Sequence, residues 1–172
     1  MIAIFDIDGV LADNAETKNL DCRKPDQHAE FARRITGVSA LPMARFAQAI
    51  AYCGAPFFIF TARSEALRMP TEEWLEDTIG TVGKAGMYDG LLSDEQNKDF
   101  VYSSNRLYMR PLGNNDEAHL LKWKQLQGLL AILKETEFNY SNILVFEDNA
   151  RSAKMFAQNG CRVYRPFEFR AK

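Results

Sequence analysis

Short apolar runs rich in β-forming residues recur along the chain, separated by longer segments whose apolar residues follow a helical period. The runs lie at 2–5, 57–61, 106–110, 142–148 and 161–165. The first, second and fourth runs have continuously apolar centres, which is typical of strands buried on both faces rather than on one. The pattern therefore predicts five short, largely buried strands.

The segments between these runs carry the start and stop residues of helices. A proline lies near the start of one segment, Thr71 and acidic residues open another, and a glycine ends two of them. The predicted helices span 26–37, 41–53, 71–80, 115–135 and 149–160. Because strands and helices alternate, we predict an α/β fold in which helices cover both faces of a central parallel sheet.

Length and composition fit one soluble domain. The chain has 172 residues, of which 47% are hydrophobic and 26% charged, and its formal net charge is −2. This near-neutral balance argues against a sequence-independent duplex binder, although it leaves room for a local basic groove. The three cysteines lack C-x-x-C spacing and are expected to be free thiols in a reducing compartment. With no long apolar run and no basic leader, we expect a cytoplasmic protein without a membrane span.

Polar side chains follow three of the predicted strands, at the edge where parallel sheets hold their ligand sites. They are Asp6 and Asp8 after the first strand, Thr61 and Arg63 after the second, and Glu147, Asp148 and Asn149 after the fourth. In a doubly wound sheet Asp6 and Asp148 would lie on neighbouring strands, where they would repel each other without a cation. Carboxylate oxygens, a main-chain carbonyl and water form the hard oxygen site that Mg²⁺ accepts together with a phosphate. Asp8-Gly9 taken alone is equally compatible with a simple turn.

Three strings at these strand ends resemble motifs of the haloacid-dehalogenase-like phosphatases. FDIDGVLAD at 5–13 resembles the first motif, D-x-D-G-[VT]-L-x-[DN]. IFTAR at 59–63 resembles the second, a hydrophobic strand that ends in Thr or Ser, and VFEDN at 145–149 resembles the fourth, an acidic pair after a strand. The resemblance covers essentially the whole chain. It implies a three-layer α/β/α, Rossmann-like fold in a single domain, with only a small cap or insertions at about 14–54 and 84–105.

The resemblance also implies a division of roles among the site residues. Asp6 would be the nucleophile that attacks phosphorus and forms an aspartyl phosphate. Asp8 would protonate the leaving oxygen and then activate the water that hydrolyses the intermediate. Mg²⁺ would be held by Asp6, the main-chain carbonyl of Asp8 and Asp148. Thr61 would hydrogen-bond a phosphoryl oxygen.

The phosphate-binding lysine has two candidates in the sequence. Lys122 and Lys124 lie two residues apart on one predicted helix and so point to different faces. We favour Lys122 and keep Lys124 as the alternative. Glu147 departs from the commoner aspartate pair and is expected to act on the metal through water or through another ligand. Asn149 is expected to cap the helix that follows it.

Two longer stretches resemble the phosphatase half of phage polynucleotide kinase/3′-phosphatases. They are TARSEALRMPTEEWLED at 61–77 and LYMRPLGNNDEAHLLKWK at 107–124. The residues that this resemblance assigns to substrate binding are Thr61, Ala62, Arg63, Arg110 and Lys122. It also implies that Glu65 orients an arginine, whereas the plainer alternative is a surface ion pair between Arg63 and Glu65. The insertion at 84–105 departs from the family, and the sequence has no kinase P-loop of the form G-x-x-x-x-G-K-[ST], so no 5′-kinase activity is expected.

The sequence therefore predicts a magnesium-dependent phosphomonoesterase whose substrate is a nucleic-acid 3′ end or a nucleotide. A small-molecule phosphatase such as a 5′-nucleotidase is the second enzyme hypothesis, which the slightly acidic charge balance favours. A catalytically silent binding module on the same fold is a third hypothesis. The intact site residues that speak against the third are Asp6, Asp8, Thr61, Lys122 and Asp148.

Overall fold

The computed structural model of the protein describes residues 1–80, 106–133 and 140–166. The strands in these residues are β1 (Ile2–Phe5), β2 (Phe57–Ser64), β3 (Leu107–Arg110), β4 (Ile143–Phe146) and β5 (Arg162–Tyr164). They form one sheet in the order β3-β2-β1-β4-β5, and every neighbouring pair is parallel. The predicted parallel sheet is confirmed, with the first strand of the chain at its centre. The insertion predicted at 84–105 lies outside the described residues.

Helices cover both faces of this sheet. They are α1 (His28–Ile35), α2 (Pro42–Tyr52), α3 (Arg68–Ile79), α4 (Ala118–Ile132) and α5 (Ala150–Gln158). Side chains of α1, α2 and α3 share one hydrophobic core with the sheet, and those of α4 and α5 share the other. The layers are therefore helix, sheet and helix, as the alternating pattern predicts. None of the described helices is long and apolar enough to cross a membrane.

The central strand β1 shows why its residues are continuously apolar. Ala3 and Phe5 belong to the core under α1–α3, whereas Ile2 and Ile4 belong to the core under α4 and α5. All four side chains are buried, and Phe5 stacks on Phe146 of β4 with ring centroids 4.5 Å apart. Full burial of a large apolar side chain contributes about 1.5–3 kcal/mol. The two cores therefore fix which way each residue of β1 faces, and with it the register against β2 and β4.

The structure corrects the predicted start of α3. The sequence places that start at Thr71, but the helix begins at Arg68, directly after a short 3-10 turn at Glu65–Leu67. The hydroxyl of Ser64 caps this turn by accepting a hydrogen bond from a backbone N–H. A proline falls in the first turn of α3, where its missing N–H costs nothing. Thr71 consequently lies inside the helix, and its side chain is buried.

Helix α4 also begins later than predicted, at Ala118 rather than at 115. The preceding residues form a hydrogen-bonded loop instead, in which the Asn114 side chain accepts from the Asp116 N–H at 3.0 Å. Such local side-chain bonds compete with helix formation. The predicted end of this helix at 135 lies outside the described residues.

Candidate functional site

The pairing of β1 with β4 brings the candidate metal ligands together. Phe5 is the register partner of Phe146, and the Asp6 N–H donates to the Phe146 carbonyl over an N···O distance of 3.0 Å. Oxygens of Asp6, Glu147 and Asp148 then lie within 4.8 Å of one another. We call these three residues the acid cluster. Carboxylates held this close together could hold a cation.

Lys122 projects from the first turns of α4 into the acid cluster. Its Nζ lies 2.7 Å from Asp6 Oδ2 and 2.6 Å from Glu147 Oε2, and its side chain is 2% exposed. Lys124, the alternative candidate, is exposed and pairs with Asp116 at 2.8 Å. The structure thus places Lys122 with the acids and Lys124 on the surface.

Glu147 acts on the lysine rather than at the edge of the site. Its Oε2 accepts from Lys122, and its Oε1 accepts from the Asn149 N–H at 3.0 Å. Glu147 is only 1% exposed, so it is the most deeply buried acid of the cluster. Asn149 caps α5, as predicted, because its Oδ1 accepts from the first free N–H groups of that helix.

Burial and mutual repulsion raise the pKa values of two acids of the cluster. Desolvation, followed by the charge of Glu147, raises the pKa of Asp6 to about 8 against the opposing attraction of Lys122. Desolvation, followed by the charge of Asp6, raises the pKa of Asp148 to about 6. Burial alone would lower the pKa of Lys122, but the attraction of Asp6 and Glu147 outweighs it, and the pKa is raised. A divalent cation would favour the ionised acids, so the cluster fits a metal by charge as well as by donor type.

Gly9 lets the chain turn beneath this cluster. Its φ is +85°, a conformation that residues with a side chain rarely adopt. A Cβ atom at this position would overlap the carboxyl group of Asp148. Glycine therefore serves two purposes here: it allows the turn within the first motif, and it allows the close approach of a candidate metal ligand.

Asp8 forms a separate ion pair with the buried side chain of Arg63, while Asp8 itself is only partly buried. The guanidinium donates from Nε to Oδ2 at 2.9 Å and from Nη2 to Oδ1 at 2.7 Å, so it binds both carboxylate oxygens. Arg63 is 1% exposed; its Nη1 lies 3.4 Å from Thr71 Oγ1, and its guanidinium sits 5.7 Å from the centre of the Phe31 ring. The alternative prediction, a surface ion pair between Arg63 and Glu65, is therefore wrong.

Glu65 instead orients a different arginine. Its two carboxylate oxygens accept from Arg68 Nε at 2.6 Å and Arg68 Nη2 at 2.7 Å. This pair lies at the start of α3 and is partly exposed. The arginine that Glu65 orients is thus a helix residue and does not contact Asp6 or Asp8.

Thr61 lies on β2, two residues past Ile59, the register partner of Phe5. Its hydroxyl oxygen accepts from the Arg63 N–H at 3.2 Å, which leaves the hydroxyl proton available as a donor. Gln125 was not singled out in the sequence, yet its Nε2 donates to the Thr61 carbonyl at 3.4 Å and to the Met109 carbonyl at 3.2 Å. It follows Lys122 by three residues and so shares its helix face, a spacing that could have indicated its role.

Arg110 is buried but does not contact the acids. Its Nε donates to the Ala62 carbonyl at 3.0 Å, and its Nη1 donates to Asn114 Oδ1 at 3.0 Å and to the Asp116 carbonyl at 2.7 Å. The residue therefore ties the loop after β3 to the end of β2. Ala62 takes part only through its main-chain carbonyl, which is the acceptor on β2.

The remaining candidates have structural surroundings. Asp13, the third acid of the first motif, is exposed and accepts from the Ala15 N–H at 3.0 Å. It braces its loop and lies apart from the acid cluster.

The free cysteines are Cys22, Cys53 and Cys161.

No protein-family model matches the chain, and no curated protein matches it. The functional proposal therefore rests on the geometry of the site and on the motifs of the sequence.

Proposed function

We propose that the protein is a magnesium-dependent phosphomonoesterase that works through an aspartyl-phosphate intermediate, like the haloacid-dehalogenase-like phosphatases that its motifs resemble. The observation that carries the proposal is the buried contact of Lys122 with Asp6 inside the acid cluster. A nucleophilic carboxylate, an ammonium group for the phosphate and a further carboxylate for a metal are the groups that this chemistry needs. The two carboxylates follow the carboxyl ends of the parallel strands β1 and β4, where such sheets hold their ligand sites.

The donor set fits Mg²⁺. We assign Asp6, Asp148 and the main-chain carbonyl of Asp8 as ligands and leave out Glu147, which is only 1% exposed. Asp6 keeps 7% exposure and Asp148 is only partly buried, so both can meet an ion from solvent. When bound, the cation would neutralise phosphate charge as one anion approaches another.

Asp6 is held in a fixed orientation for attack on phosphorus. Its Oδ1 accepts from the Ile7 N–H at 2.8 Å, and its Oδ2 pairs with Lys122. Each oxygen retains a second lone pair, so a nucleophilic lone pair remains. Lys122 can contact a phosphoryl oxygen as charge develops there, and the free hydroxyl proton of Thr61 can donate to another.

Asp8 is the acid and base of the proposal, and Arg63 is its positioning residue. The two hydrogen bonds from Arg63 fix the plane of the Asp8 carboxyl group. Proton transfer to the leaving oxygen requires one of these bonds to be exchanged for the substrate, while the other keeps the carboxyl group in place. Asp8 carries the proton that it gives to the leaving oxygen, and it then takes a proton from the water that hydrolyses the intermediate, which restores the protonated carboxyl group for the next turnover.

For the substrate we propose a nucleic-acid 3′ end or a nucleotide, on the resemblance of 61–77 and 107–124 to phage 3′-phosphatases. We also propose a cytoplasmic location, which the exposed free thiol of Cys53 supports because such thiols persist in reducing compartments.

The proposal is tested by hydrolysis of p-nitrophenyl phosphate with Mg²⁺ and with EDTA. We expect activity only with the metal, and Asp6→Asn should lower kcat by about a thousandfold or more because it removes the nucleophile. Asp13→Asn is the matched control, since it changes an exposed acid of the same motif and should retain full activity. Turnover by the Asp6→Asn variant at the wild-type rate would contradict the assignment.

A phosphate-release panel then separates the substrate classes. It compares a 3′-phosphorylated oligonucleotide, nucleoside 3′- and 5′-monophosphates and sugar phosphates at equal concentration. We expect the 3′-phosphorylated oligonucleotide to have the largest kcat/KM. A preference for the 5′-monophosphates would instead indicate a 5′-nucleotidase.

A further inference from the structure

A cavity lies at the same edge of the sheet as the acid cluster. It is a cavity of about 320 Å³, bounded by residues at the end of β2, by the loop after β3 and by the chain around the start of α1. The acid cluster lies at the ends of β1 and β4, so the Asp8–Arg63 pair lies between the two in sheet order. Arg23, His28, Ser64 and Arg110 are among the residues that line it.

The lining of this cavity favours an anion. It contains two arginines and a histidine, and no aspartate or glutamate is among the described residues that line it. Arg23 is 45% exposed and pairs with Asp21 at 2.8 Å on the surface. An exposed pair of this kind is weak, so the arginine can be redirected to a ligand at little cost.

Arg110 gives an independent reason to expect an anion. It is 3% exposed, and its Nε and Nη1 donate to backbone and side-chain oxygens of the surrounding chain. Within the described residues nothing accepts a hydrogen bond from its Nη2, although the side chain lines the cavity. This Nη2 is still reached by solvent, so it can donate to a ligand oxygen in the cavity without first leaving another acceptor.

The geometry points to a subsite for the leaving group of the substrate, and this inference rests on the proposed function. In an in-line displacement the leaving oxygen lies opposite the attacking Asp6 and next to its proton donor, Asp8. Asp8 is held by Arg63, whose neighbour in the chain, Ser64, lines the cavity. We infer that the cavity binds a second phosphate group of the substrate, carried by the alcohol that leaves. This second group is either a phosphomonoester or a phosphodiester, and in both cases the cavity would recognise a charged phosphate oxygen.

The inference is tested by binding to the Asp6→Asn variant, so that turnover does not interfere. Calorimetry with Mg²⁺ compares a nucleoside 3′-monophosphate, the corresponding 3′,5′-bisphosphate and a 3′-phosphorylated dinucleotide. We expect the bisphosphate or the dinucleotide to bind about tenfold more tightly than the monophosphate, as one charge-assisted contact allows. A gain for the dinucleotide alone identifies a phosphodiester ligand, and a gain for the bisphosphate alone identifies a small molecule.

Two controls separate the cavity from general electrostatic attraction. Adding Arg23→Gln should bring the affinity for the tighter-binding ligand close to the affinity for the monophosphate. Adding Arg33→Gln should leave the difference between these two affinities unchanged. Arg33 is a matched choice because it is also exposed and pairs with a nearby acid, Glu30, but it does not line the cavity. A dinucleotide with an uncharged methylphosphonate linkage should bind no better than the monophosphate.

Equal affinities for all three ligands would overturn the inference, as would equal losses from the Arg23 and Arg33 variants. Tight binding of the methylphosphonate dinucleotide would overturn it too, because the cavity would then not recognise charge. The proposed function fails separately, if the wild-type protein does not hydrolyse p-nitrophenyl phosphate with Mg²⁺. The binding result stands in either case, because it does not require turnover.

Discussion

Two buried cations hold Asp6 and Asp8, and the balance of positive and negative charge differs between the two places. The ammonium group of Lys122 faces the acid cluster, so one positive charge meets three carboxyl groups. The guanidinium of Arg63 meets Asp8 and binds both of its oxygens. The first arrangement has an excess of acid, while the second is a matched pair.

This difference separates two tasks that similar residues perform. An excess of acid raises the pKa values of Asp6 and Asp148 and leaves a place that a cation would complete. A matched, bidentate pair instead fixes the direction of one carboxyl group without calling for an ion. The comparison explains why we propose a metal on one side of the site and a positioning role on the other.

The largest effect is expected from removing the ammonium group, with Lys122→Met. The buried acids of the cluster would lose their counter-charge, which costs about 3–5 kcal/mol in the free energy of unfolding. Hydrolysis of p-nitrophenyl phosphate should disappear as well. Urea denaturation measures the stability, with Lys124→Met as the control because that side chain is 65% exposed. Equal stability of the two variants would show that Lys122 does not hold the cluster together.

The matched pair is weakened by Arg63→Lys, which keeps the charge and loses the bidentate geometry. We expect kcat to fall about tenfold to a hundredfold, since a charge-assisted bond to Asp8 is lost, with a smaller change in KM. Arg68→Lys is the control, because Arg68 also binds carboxylates but at the partly exposed start of α3. An unchanged kcat in the Arg63 variant would remove the positioning role.

The excess of acid should also make the stability of the metal-free protein depend on pH. Asp148 and Asp6 bind a proton more tightly in the folded chain, so protonation stabilises the fold at low pH. That contribution is lost as the pH rises above 3.8, through about 6 for Asp148 and about 8 for Asp6.

Mg²⁺ should reverse this loss. Thermal unfolding with Mg²⁺ and with EDTA should show a larger rise in Tm at pH 8 than at pH 5, because protons compete with the metal at the lower pH. An equal rise in Tm at both pH values would mean that the ion binds elsewhere.

The smallest effect is expected at Thr71, the residue that supports Arg63 from α3. Thr71→Val removes the hydroxyl at nearly constant volume and should cost about 1 kcal/mol of stability, with a drop in kcat of less than tenfold. Thr71→Ser keeps the hydroxyl and should retain more activity than the valine variant. If serine and valine behave alike, the 3.4 Å contact to Arg63 contributes nothing.

Much of the fold could be predicted because its signals are local. The central strands are continuously apolar, so their place inside a covered sheet follows from composition alone. The neighbouring positions of Asp6 and Asp148 followed from strand order. The start of α3 was mispredicted because Ser64 caps a 3-10 turn that leads into the helix, a coupling that helix propensity does not contain.

The side-chain contacts of the site were harder to predict from the sequence, because they join residues that are far apart in the chain. Asp8 and Arg63 are 55 positions apart, and no periodicity indicates that one binds both oxygens of the other. The choice of Lys122 over Lys124 depended on which face of α4 is buried, which the surrounding leucines leave open. Whether Glu147 faces a metal or a lysine depends on side-chain direction, which only three-dimensional packing decides.

The position of β1 in the middle of the sheet has a consequence for synthesis of the protein. Asp6 and Asp8 are made before Lys122 and Asp148, with which Asp6 is in contact or shares the acid cluster. A nascent or truncated chain that lacks β4 therefore has neither the carbonyl that accepts from the Asp6 N–H nor the other two acids of the cluster. On the proposed function, such a chain should be inert as a phosphatase.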